Sequence, residues 1–182
     1  MTQDAPASAY DMGHAVEAEN LATFAVLVDN EPGVLHRVVG LFAARGYNIE
    51  SLTVAETDRS ARTSRITIVT RGTPHVLAQI EAQLQKMVST RHVQNVTKDP
   101  NGVERELALI KVRGTGADRA EARGLADIFR ARVIDTNSES FIFELTGAPS
   151  KIDKFVGLMR PIGLIEVSRT GVLSIERGAE IL

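Results

Sequence analysis

The residues whose types and spacing suit chemistry lie in Asn30-Glu31-Pro32-Gly33, just before an apolar stripe at helical spacing. A helix start leaves backbone N–H groups free and carries the positive end of the helix dipole, so it favours an anion. Gly33 has no side chain to hold a ligand away. Asn30 or Glu31 can cap the helix, and a proline near the first turn forfeits no hydrogen bond it could have made. Asn30 and Asn48 could bring amide oxygens near one spot, and Val34, Leu35 and Ile49 complete the expected effector-binding set. A carboxylate, an ammonium partner and an apolar wall together suit a small aliphatic amino acid. The plainer reading of Asn30 and Gly33 is a capping turn and nothing more.

Strands and helices can be read on either side of this turn. Phe24, Val26 and Val28 alternate as one face of a strand over Thr23 to Asp29. Val34, Leu35, Val38, Val39 and Phe42 mark the buried face of a helix that stops at Gly46. A second strand is expected from Ile49 to Glu56, a hairpin loop from Thr57 to Thr63, and a third strand from Arg65 to Thr70. Thr73 and Pro74 open a second helix with Val76, Leu77, Ile80, Leu84 and Met87 inward, and His92 to Lys98 gives a fourth strand. Asp99-Pro100-Asn101-Gly102 breaks the chain.

The order then repeats. Strands are expected at Leu107 to Val112, Val133 to Thr136, Ser140 to Leu145 and Leu164 to Ser168, with a last short one at Val172 to Glu176. Helices are expected at Asp118 to Arg130, with Leu125, Ile128 and Phe129 inward, and at Pro149 to Met159. The fold class is α+β: two ferredoxin-like βαββαβ units, each an antiparallel sheet with helices on one face. The boundaries are an N-terminal arm over 1–22, a first unit over 23–99, a linker over 100–105 and a second unit over 106–182. Such a sheet leaves its other face bare, and 43% hydrophobic residues favour pairing into a dimer or larger assembly.

Composition narrows the function. A net charge of −2 gives no general attraction to nucleic acid or anionic membranes. The absence of cysteine excludes thiolate chemistry and fits a reducing cytosol. No apolar run approaches a membrane span, and the first residues, acidic and without an apolar stretch, do not read as a secretory signal. Gly114-Thr115-Gly116 follows a strand and opens a helix, but Arg119 replaces the third glycine of a dinucleotide fingerprint. Phe141 and Phe143 share a strand face as RNA-stacking aromatics do, yet Glu139 and Glu144 flank them, so core packing is the better reading. The four histidines, at 14, 36, 75 and 92, show no metal-ligand spacing.

The run from Asn30 to Ser51 resembles the signature of the regulatory (small) subunit of acetolactate synthase, also called acetohydroxyacid synthase. Pro32-Gly33-Val34-Leu35 resembles the loop of the ACT domain, an amino-acid-sensing module of ferredoxin-like fold. Gly40 to Val54 is the more specific part, and Val103 to Leu107 and Arg169-Thr170-Gly171 resemble the second half of that family. The resemblance runs from about Thr23 to the end. It implies an ACT domain followed by an ACT-like domain, and a non-catalytic subunit without cofactors of its own. The implied partner is the large catalytic subunit, which uses thiamine diphosphate, magnesium and FAD to condense pyruvate with pyruvate or 2-oxobutyrate. The implied role is to raise that subunit's activity and to make it sensitive to valine or another branched-chain amino acid. A free-standing amino-acid sensor and a small enzyme are the rival expectations.

Overall fold

A computed structural model describes residues 18–179. The elements run β1 (Asn20–Asp29), α1 (Val34–Arg45), β2 (Ser51–Asp58), β3 (Thr63–Gly72), α2 (Pro74–Gln85) and β4 (Thr90–Asn95), then a short 3-10 turn at Val96–Lys98. The second series is β5 (Gly102–Arg113), α3 (Gly116–Phe129), β6 (Arg132–Thr136), β7 (Ser140–Gly147), α4 (Pro149–Gly163), β8 (Leu164–Arg169) and β9 (Leu173–Glu176). The sheets are ordered β2-β3-β1-β4 and β6-β7-β5-β8, with β9 paired to the start of β5. All these pairings are antiparallel. The two βαββαβ units expected from the repeat are therefore present.

Each unit owes its core to strand alternation meeting a helical stripe. In the first, Phe24, Val26 and Val28 of β1 and Ile66 and Ile68 of β3 meet Val38 and Phe42 of α1 and Ile80 and Leu84 of α2, all almost fully buried. Burial of each such side chain stabilises by about 1.5–3 kcal/mol. Thr73 caps α2, its hydroxyl accepting from the Val76 N–H at 3.4 Å ahead of Pro74. In the second unit Ile110, Val112, Phe143 and Leu145 meet Ile152, Phe155 and Met159 of α4. Phe141 and Phe143 are core residues, as the plainer reading had it.

Several expected boundaries move. β1 begins at Asn20, so the expected arm over 1–22 is cut short; residues 1–17 lie outside the described residues. The expected linker over 100–105 is mostly strand, because Val103, Glu104 and Arg105 pair with Ile175, Ser174 and Leu173. α3 turns Ala122 and Ala126 inward, with Leu125 and Phe129 partly buried, and leaves Ile128 75% exposed. α4 runs past Met159 through Pro161 to Gly163.

The first sheet's other face is not bare. Thr23, Ala25, Thr67 and Val69 on it are buried, and the segment entering β9 lies against it. The Val172 N–H donates to Ser51 Oγ at 3.2 Å, Thr53 Oγ1 to the Thr170 carbonyl at 3.4 Å, and Gln94 Nε2 to Glu176 Oε2 at 3.0 Å. Part of the cover expected from a second copy thus comes from the chain itself.

Candidate functional site

The α1 start is built by a tight turn. The Glu31 N–H donates to the Asp29 carbonyl at 2.9 Å and the Val34 N–H to the Glu31 carbonyl at 3.2 Å. Gly33 caps the helix with φ 84°, left-handed backbone that a residue with a Cβ adopts only with strain, and no side chain caps it. The expected Asn or Glu cap is therefore absent: Asn30 Nδ2 donates instead to Glu56 Oε1 at 3.1 Å, and Glu31 pairs with Arg37. Pro32 lies in the turn ahead of the cap, outside the helix. Among the described residues the Leu35 and His36 N–H groups find no acceptor, so the helix start presents free donors. A Cβ built on Gly33 would meet nothing nearer than Arg37 Nη1 at 3.9 Å, so the space over the turn is open.

The expected site residues do not all converge. Leu35 is exposed beside the turn, but Val34 is turned into the core with Val38 and Phe42. Asn48 and Ile49 lie at the far end of α1, about 18 Å away for a helix of this length. There Asn48 Nδ2 donates to Glu50 Oε1 at 3.1 Å, its carbonyl accepts from Thr70 Oγ1 at 2.6 Å, and Ile49 packs against the core. A crossover helix runs antiparallel to its strands, so its two ends lie at opposite rims of the sheet. Asn30 and Asn48 of one chain cannot meet at one spot.

A crevice of about 500 Å³ separates the two units, lined by Thr23, Leu52, Val69 and Gly171 among others. Arg169 closes one side with a fork on buried Glu106, Nε to Oε1 at 2.8 Å and Nη2 to Oε2 at 2.5 Å, and donates Nη1 to Asp153 at 2.7 Å. The Glu106 hydrogen bonds, with help from Asp153, hold the guanidinium well above its ordinary pKa against the opposing effect of burial. Beside it Gly171, φ 84°, passes so close to β2 that a Cβ would lie 2.6 Å from Ser51 Oγ and 2.8 Å from Thr53 Oγ1. Sequence reasoning from residue types missed this joint; only the family resemblance drew notice to Arg169-Thr170-Gly171. Among the described residues no three His, Asp or Glu side chains gather as a metal site, and no helix is long and apolar enough to cross a membrane.

Two family descriptions match: "AHAS small subunit-like ACT domain" over residues 24–92 and "Small subunit of acetolactate synthase" over residues 105–178. A "Probable acetolactate synthase small subunit" of Archaeoglobus fulgidus is 48% identical over 156 residues, covering 86% of this chain and 96% of that one. The chain belongs to the acetolactate synthase small-subunit family. The Haemophilus influenzae small subunit is 44% identical over 84% of this chain and 93% of its own. A crystal structure of the Thermotoga maritima small subunit superposes with a TM-score of 0.77 at 40% identity, covering 88% of this chain and 99% of that one. The ACT match covers the unit that carries the open turn at Gly33, and the small-subunit match covers Glu106, Arg169 and Gly171.

Proposed function

We propose that this small subunit is the regulatory partner of a large, catalytic acetolactate synthase subunit, which it stimulates and makes sensitive to valine. The observation that carries the reading is the open, donor-rich start of α1, with Leu35 exposed beside it and Asn48 at the opposite end of the same helix. Two copies of the first unit laid antiparallel along α1 bring the Gly33 turn of one against the Asn48 end of the other. Leu35 and Val39, both 39% exposed on α1, supply an apolar seam for that pairing. Valine then sits at the seam, its carboxylate on the free N–H groups of one helix start and its side chain among Leu35 and Ile49. A ligand held by two chains favours the paired arrangement, and differential binding of that kind is what regulation requires.

The reading gives thiamine diphosphate, magnesium and FAD to the partner, and places the complex in the cytoplasm. The Arg169 fork and the β2 contacts at Gly171 offer a stiff route from the first sheet to the second unit. The test is to assay each subunit alone and mixed, with those cofactors supplied. We expect no turnover from this chain alone, a rise on mixing, and valine inhibition only in the mixture. Turnover by this chain alone, or no change on mixing, contradicts the proposal.

A further inference from the structure

The second unit carries a groove of about 550 Å³ between α3 and the strands β6 and β7. Arg119, Arg123 and Asp127 fall four residues apart along α3, on one stripe of the helix facing Val133, Thr136 and Phe141. The Arg119 guanidinium lies 4.0 Å from the centre of the Phe141 ring, and its Nη2 donates to Thr136 Oγ1 at 2.9 Å, so its plane is held in place. Its Nη1 is shielded from solvent and has no acceptor among the described residues. That nitrogen is covered by the protein while the guanidinium lies on the Phe141 ring face, so the ring offsets part of its cost and an anion in the groove acts on the charge rather than through a bond to Nη1. Arg123 is exposed and forms no ion pair among the described residues. Asp127 is two turns from Arg119, about 12 Å along the axis, and one turn from Arg123, with which it forms no ion pair among the described residues.

We propose that this groove binds the oxyanion end, phosphate or carboxylate, of a small metabolite, at a site separate from the Gly33 turn. Exposed Arg123 presents forked donors that match an oxyanion's geometry, and the held Arg119 guanidinium one turn away adds positive charge beside it. The residue that spoils the dinucleotide fingerprint, Arg119, is the one that supplies the held guanidinium, and Gly116 lines the same groove.

The experiment titrates the full chain calorimetrically with inorganic phosphate and, separately, with acetate, against chloride at matched ionic strength. Backbone amide shifts are followed in parallel. One oxyanion should bind saturably at one per chain, chloride should not, and the shifts should centre on Gly116, Arg119 and Arg123. Phosphate alone or acetate alone identifies the anion class. Arg123→Gln, on an exposed side chain that the fold does not need, should weaken binding about tenfold or more, as loss of a charge-assisted hydrogen bond does. Arg119→Gln should weaken it further, with folding checked because its stack on Phe141 is lost. No saturable binding of either oxyanion, equal affinity in Arg123→Gln, or shifts centred on the α1 start would overturn the proposal. Valine binding is read separately, so failure here leaves the regulatory reading standing.

Discussion

The two units share one strand order but differ in what lies on the sheet face away from the helices. In the first unit that face is small and largely buried, with Thr23, Ala25, Thr67 and Val69 behind the Gly171–Glu176 segment. In the second it is a solvated face. Leu109 is 36% exposed there, Lys111 Nζ reaches Glu166 Oε2 at 2.7 Å, and Arg132 Nη2 reaches Glu144 Oε1 at 2.6 Å. Lys111 holds the Glu166 carboxyl below its ordinary pKa, but such exposed pairs add little stability. Both units also open their first helix on a left-handed glycine, Gly33 and Gly116. Beside Gly33 stands exposed Leu35, and beside Gly116 stands Arg119. One topology has thus been given an apolar-rimmed helix start in one half and a cationic groove in the other. The joint between them runs through the first sheet and the C-terminal segment.

Gly33→Asp and Gly116→Asp should separate the two helix starts most strongly. On the proposed reading, a carboxylate at Gly33 places a like charge where the ligand's own carboxylate would sit, and should cost several kcal/mol, or about a hundredfold or more in valine sensitivity. It also strains the left-handed backbone by about 1–2 kcal/mol. Stimulation of the catalytic partner should persist, and Gly116→Asp should leave the valine curve in place. Inhibition curves of the mixed subunits, alongside thermal melts, check both. An unshifted curve for Gly33→Asp would remove the ligand from this helix start.

The joint is tested next. Glu106→Gln leaves Arg169 without its buried carboxylate partner and should cost about 2–3 kcal/mol, at the low end for a buried pair because Asp153 remains and Arg169 is partly exposed. The melting temperature should fall by roughly 4–12 °C. Gly171→Ala combines left-handed strain with overlap on Ser51 and Thr53 and should cost about 2 kcal/mol. Gly178→Ala carries the same kind of strain at φ 100° with open space around it, so the difference between the two melts isolates the joint. Equal melts would mean that the segment does not brace the first sheet. The smallest effect is expected from Asn48→Ala. Loss of one hydrogen bond of about 0.5–1.5 kcal/mol should raise the valine needed for half-inhibition by up to roughly tenfold, read from the same titration.

Most of the fold was legible because it is written locally. The stripe Val34, Val38 and Phe42, the Thr73-Pro74 cap and the alternation in β1 and β7 each specify an element without reference to the rest, although Leu35 and Val39, expected on the buried face of α1, are each 39% exposed. What escaped is either weakly marked or distant. α3 buries Ala122 and Ala126, which carry little periodic signal, so Ile128 was drawn inward wrongly. Val103 to Arg105 read as linker because their partner strand lies some seventy residues away. For the candidate site, Gly33 was legible as an open turn, but a side-chain cap was expected where the glycine backbone itself turns the chain. Placing Asn30 and Asn48 together ignored the helix between them.

Because the two ends of α1 lie so far apart, a valine site shared by two chains can be complemented between chains. Gly33→Asp damages the helix-start half of the site, and Asn48→Asp damages the strand-start half. The wild-type chain should bind valine by calorimetry, and each variant alone should not. Co-refolded in equal amounts, the two variants form mixed pairs in which one site of the seam has both halves damaged and the other site has both intact. Valine binding should return in the mixture, at about a quarter of the wild-type number of sites for random pairing into dimers. Binding that fails to return, although mixed pairs are shown to form, would contradict a site built from two chains.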